Sequence, residues 1–94
     1  MYSVKVITEK QIAAFGQQHA DARSALARWT QITQGAAWES LADIRHSFSS
    51  ADEIVVKSGR PVVIFNIRGN RYRLITAVHY NRGLVYVMLF LTHA

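Results

Sequence analysis

The sequence contains no cysteine, which excludes a disulfide framework and every thiolate metal site and suits a reducing cytoplasm. Proline occurs once, as Pro61. No apolar run approaches the ~20 residues of a membrane-spanning helix; the longest extends from Leu84 to Leu91. The first residues lack the apolar core of a secretory signal. A cytoplasmic protein without membrane contact is therefore expected. Walker loops, glycine-rich dinucleotide turns and Cys/His zinc spacings are also missing, so no cofactor and no metal is expected. Acidic residues are absent from position 54 onward: all six (Glu9, Asp21, Glu39, Asp43, Asp52 and Glu53) fall within the first 53 positions. That leaves the stretch from 54 onward without the carboxylates of a two-metal nuclease.

What is present is a polarised charge distribution. The first 53 residues carry Lys5, Lys10, Arg23, Arg28 and Arg45 against the six acids, a balance of −1; from Ile54 onward Lys57, Arg60, Arg68, Arg71, Arg73 and Arg82 stand alone, at +6. A one-sided field of this kind points to a polyanionic partner, nucleic acid or an acidic protein segment. The 94 residues, half of them apolar, suffice for one small domain with a thin core, spanning 1–94.

Apolar periodicity orders the elements. Tyr2 to Ile7 alternates as a short strand. Thr8, with Gln11 three positions on, has the form of a capping box opening a helix that runs to about Gln18. The segment "HADA" at 19 to 22 breaks it, with Asp21 as a candidate second cap. Ala22, Ala25, Leu26, Trp29 and Ile32 then keep the spacing of one buried helical face, stopping at Gly35. Ser40 to Phe48 predicts a third short helix, capped by Ser40. The period then changes to two. Strands are expected from Ile54, over Val62 to Arg68 and Arg71 to Tyr80, and over Leu84 to Leu91, whose unbroken apolar character predicts cover on both faces. The result is an α+β two-layer domain: an N-terminal strand, two to three helices, then an antiparallel meander of three to four strands.

The stretch "FNIRGNRYRL", 65 to 74, concentrates the interest. With Gly69-Asn70 as a two-residue turn, Arg68 faces Arg71, Ile67 faces Tyr72, Asn66 faces Arg73 and Phe65 faces Leu74. Alternation puts Phe65, Ile67, Tyr72 and Leu74 on a core face and Asn66, Arg68, Arg71 and Arg73 on the other. Like charges facing across a ladder are destabilising, and guanidinium forks match phosphate oxygens, so the patch is expected to seat an anion. Lys57, Arg60 and Arg82 are further candidate phosphate ligands. His93 is a candidate general acid or base. Its face depends on the second turn: Arg82-Gly83 as a two-residue loop sets Thr92 opposite Arg73 and His93 opposite Tyr72, and a bulge at "NRG" reverses this.

"FNIRGNRYRL" together with "THA" at 92 to 94 resembles the HigB family of bacterial type II toxins, within the RelE-like superfamily of mRNA interferases. "HADARSALARW" (19 to 29), Trp38 and "SSAD" (49 to 52) fall where that family has similar segments. The resemblance implies a RelE-like fold and metal-independent cleavage of mRNA, usually on the ribosome. It also implies neutralisation by a HigA-type helix-turn-helix antitoxin, with DNA bound only through the complex of the two proteins. Arg73 and Arg68 match basic positions of the family pattern and take the role of transition-state stabilisers beside His93; Asn66, Asn70 and Arg71 lie in the same motif as RNA contacts. In the family "THA" usually continues into glutamate, tyrosine and aspartate. This sequence ends at Ala94, so a tyrosine often proposed to assist catalysis is not expected, and the resemblance implies either a truncated or naturally shortened member or a larger share of the work for His93. The alternative expectation is an RNA- or ribosome-binding regulatory module with reduced or no nuclease activity.

Overall fold

A computed structural model describes residues 5–6, 9–57, 59 and 61–92. Elements follow in the order β1 (Lys5–Val6), α1 (Glu9–Gln18), α2 (Arg23–Gln34), α3 (Leu41–Ser47), β2 (Asp52–Val55), β3 (Pro61–Ile67), β4 (Tyr72–His79) and β5 (Leu84–Thr92). The fold is α+β. β2 to β5 form an antiparallel meander, β1 joins β5 in parallel, and the sheet order is β1-β5-β4-β3-β2. The helices lie on one face of this sheet, as period-two strands with one buried face require.

That face holds the core. Leu26 and Trp29 of α2, Trp38, Ile44 of α3, and Val63, Phe65, Leu74, Val85 and Val87 of the strands are all buried. Phe65 is the hub: its ring lies 5.3 Å from Trp29, 5.2 Å from Phe48 and 6.0 Å from Trp38. Such ring pairs add ~0.5–1.5 kcal/mol each beyond the area they bury. The buried Thr76 hydroxyl is satisfied, since its Oγ1 donates to the Val63 carbonyl at 2.9 Å.

Capping differs from expectation. Thr8 lies outside the described residues. Asp21 caps no helix: a 3-10 turn over Ala20–Ala22 runs straight into α2, whose N-cap is Ala22. Ser40 does occupy the N-cap of α3, yet its side chain makes no capping bond. Asp43 instead accepts the Glu39 backbone N–H at 2.9 Å, which ties down the same entry from inside the first turn.

β5 also departs from expectation. Met88, Leu89 and Leu91 are 43 %, 49 % and 46 % exposed, so the apolar run is covered on one face only. The continuous apolar pattern arises from a bulge. Register steps from Ile75↔Leu89 to Thr76↔Val87, leaving Met88 unpaired, and the inward parity switches from odd to even positions. Gln11 Nε2 donates to the freed Met88 carbonyl at 3.2 Å, fastening α1 to the bulge. As a consequence Leu91 faces Arg73 and Thr92 faces Tyr72. The irregularity sits mid-strand, whereas "NRG" closes in a 3-10 turn over Tyr80–Arg82 with Gly83 at φ +64°.

Candidate functional site

The tip of the β3–β4 hairpin carries the basic motif. Strand pairing is as expected: Ile67 faces Tyr72, Asn66 faces Arg73 and Phe65 faces Leu74. The turn is different. The left-handed pair is Arg68 (φ +54°) and Gly69 (φ +64°), with the Arg71 N–H donating to the Arg68 carbonyl at 3.3 Å. A left-handed arginine costs ~1–2 kcal/mol. It also removes Arg68 from the strand alternation, so parity no longer places its side chain beside that of Arg73.

Arg68 and Arg71 turn instead toward the helical layer, where both meet one carboxylate. Asp21 Oδ2 accepts Arg68 Nη1 at 2.7 Å and Arg71 Nη1 at 3.4 Å, while Oδ1 accepts the Tyr72 hydroxyl at 2.6 Å. The expectation of three unmatched guanidiniums on one face is thereby corrected: two of them share a counter-ion contributed by the first half of the chain. Charge is still in excess, because two guanidiniums face one carboxylate. Both arginine side chains remain accessible, at 45 % and 64 % exposure. Exposed pairs of this kind are weak and screened by salt, so the guanidiniums keep outward donors for another anion.

The hydrogen bond from Tyr72, with Arg68 and Arg71 beside it, holds the Asp21 carboxyl below its ordinary value of 3.8 against an opposing desolvation effect. The same bond raises the Tyr72 phenol. Behind this knot the Tyr72 ring stacks on Phe90 at 4.9 Å, and His19 packs 5.1 Å from Tyr72 and 5.6 Å from Phe90. Because the folded carboxyl is depressed, its stabilising contribution is complete above the unfolded value and is lost as the pH falls through the folded one. Asp21→Asn should therefore lower the thermal midpoint at neutral pH. It should also flatten the acid limb of a stability–pH curve relative to the parent chain, as followed by thermal melts from neutral pH to below 3.8. An unchanged acid limb would show that the knot does not form in solution.

Arg73 stays on the helix-free face of the sheet, exposed, between Asn66 of β3 and Leu91 of β5 in register. Asn70 is exposed at the tip. Lys57 and Arg82 are elsewhere. Val55↔Pro61 and His79↔Leu84 mark the opposite end of the hairpin, and the length of β3, at ~3.3 Å per residue, separates the two ends by ~20 Å. Arg60 and His93 lie outside the described residues. Sequence reasoning missed Asp21, Tyr72 and His19. The one available signal was the acid–base split at position 53, which implies that an unmatched basic tip has carboxylates to draw on only from the first 53 residues.

The model of a protein family described as HigB_toxin, RelE-like toxic component of a toxin-antitoxin system, matches residues 22–94 of the chain. No curated protein matches it significantly.

Proposed function

The chain belongs to the HigB family of RelE-like toxins, the toxic components of toxin–antitoxin systems, and on that premise we propose that it is a metal-independent endoribonuclease that cuts mRNA on the ribosome and so arrests translation. Membership of such a system implies an antitoxin partner; a HigA-type helix-turn-helix protein in the cytoplasm fits this reading, with DNA reached only through that complex. The observation that carries the proposal is the hairpin tip. Arg73 is exposed beside Asn66 on the open sheet face, and two further guanidiniums a few residues away face a single carboxylate.

In the proposed reaction a ribose 2′-hydroxyl attacks the adjacent phosphorus. The 5′ oxygen leaves with a proton, and a 2′,3′-cyclic phosphate remains. Arg73 stabilises the crowded, doubly charged phosphorane through its fork of N–H donors. Asn66, across the ladder, orients that fork. Arg68 and Arg71 seat a neighbouring phosphate, with Asp21 fixing their positions, and Asn70 lines the same tip. His93 supplies proton transfer. Lys57, Arg60 and Arg82 act on more distant parts of the RNA, since the tip is beyond the reach of Lys57 and Arg82.

Mapping of RNA 5′ ends after induction of the full chain tests this. New ends within translated reading frames, bearing the 5′-hydroxyl that attack by the 2′-oxygen leaves, are expected. An absence of new ends refutes cleavage. A second reading, an RNA- or ribosome-binding module without nuclease activity, is favoured by the engagement of Arg68 and Arg71 with Asp21, and it predicts ribosome co-sedimentation without new ends. Salt dependence counts the arginines at work. Replacing Arg68 and Arg71 should reduce the log–log slope by about 1.4 where both touch single-stranded RNA, and leave it unchanged where they do not.

A further inference from the structure

β2 closes the sheet on the side away from β1. Half of its backbone N–H and C=O groups therefore point outward, as on any edge strand. Ile54, Val55 and Val56 on this edge are 49 %, 69 % and 43 % exposed. Edge strands of soluble domains are usually blunted by charge, proline or a bulge along the strand. Here the charges stand at the two ends, Asp52 and Glu53 before the aliphatic residues and Lys57 after them.

That order is complementary to its own reverse. Set antiparallel to a second copy with Val55 opposite Val55, the strand places Ile54 opposite Val56 and Glu53 opposite Lys57. Partners in each pair then share a face, because their positions have the same parity. Of the two-fold registers that preserve faces, this alone puts Lys57 opposite an acid. We propose that the β2 edge is a contact between two copies of this chain, related by a two-fold axis through Val55 and normal to the sheet, which joins both sheets into one.

The local geometry suits this contact. Glu53 lies on the helical face, opposite Val63 of β3. One of its carboxylate oxygens accepts the Tyr80 hydroxyl at 2.7 Å, and the other is available to a lysine. The Val56 carbonyl accepts the Gly59 N–H at 2.8 Å. Val56 and Lys57 thus begin a turn, so Val55 is the one paired position that lies within β2 in both copies, and the Ile54–Val56 and Glu53–Lys57 contacts are made through side chains. Lys57 forms no ion pair among the described residues. A short edge buries less than a standard interface, so the association is a concentration-dependent equilibrium rather than an obligate dimer. It does not depend on the basic tip, which lies at the other end of β3; in the paired state Lys57 serves this contact and not RNA.

Sedimentation of the full chain from ~1 to ~100 µM, the range that brackets a weak specific contact, should show the mass rise from 10.6 kDa toward twice that value. Val55→Lys should stay monomeric throughout. Glu53→Lys and Lys57→Glu should each stay monomeric, and their equimolar mixture should recover the doubled mass, because each supplies the charge the other lacks. A parent chain that remains monomeric at the upper limit overturns the proposal, as does a Val55→Lys dimer or a mixture that stays at the monomer mass. Should Glu53→Lys unfold through loss of the Tyr80 bond, as read by circular dichroism, Lys57→Glu decides alone, and its dimerisation refutes the charge pair.

Discussion

Arg73→Ala is expected to reduce RNA cleavage by ~10²–10³-fold, the effect of deleting one preorganised donor to a developing oxyanion. The side chain is exposed on the helix-free face of β4, so its loss should leave the fold within ~0.5 kcal/mol of the parent. Growth after induction and 5′-end mapping in the same cells report the activity, and circular dichroism reports the fold. Arg73→Lys should restore only part of the rate, because an ammonium supplies charge without the bidentate fork. A folded Arg73→Ala variant that still arrests growth and still cuts mRNA at the parental rate would remove Arg73 from the reaction and move the chemistry to Arg68 and Arg71.

Phe65→Ala should be the most damaging change to stability. Phe65 is fully buried and contacts Trp29, Trp38 and Phe48. Truncating such a ring costs ~3–5 kcal/mol from lost transfer energy and the cavity left behind. A domain of this size has only ~5–15 kcal/mol in total, so most of its stability margin would disappear. Chemical denaturation should show the midpoint collapse. Phe65→Leu, which keeps much of the volume, should fall well short of that loss. The effect reaches the site through the backbone: Phe65 precedes Asn66, whose register partner is Arg73. Phe65→Ala should therefore also lose activity, in proportion to the unfolded fraction and not through a changed chemical step. A Phe65→Ala variant with a parental denaturation midpoint would mean that the aromatic cluster is not the centre of the core.

The local pattern of β3 and β4 was legible because it is a short-range property. Alternation from Phe65 to Leu74 assigns faces without knowledge of the rest of the molecule, and the buried set Phe65, Ile67, Tyr72 and Leu74 is the expected one. The α2 face is legible for the same reason, since Leu26 and Trp29 follow helical spacing. Two local departures were not. The bulge at Met88 shifts parity without any glycine or proline to mark it. The left-handed conformation fell on Arg68 rather than Asn70, against the intrinsic preference for asparagine; in the fold, Arg68 is held by its ion pair with Asp21.

Sequence alone was enough to assign the α+β class, the order of helices and strands, the pairing of Asn66 with Arg73, and the family, because each rests on residue type at short spacing. Only the tertiary structure decided the fate of the arginines. Asp21 meets Arg68 across 47 positions and Arg71 across 50, a contact created by packing the helical layer on the sheet. Periodicity reports which face a residue takes, but it carries no information about what stands opposite that face. The fold therefore divides one run of positive charge into a tethered pair at the tip and an arginine on the open face.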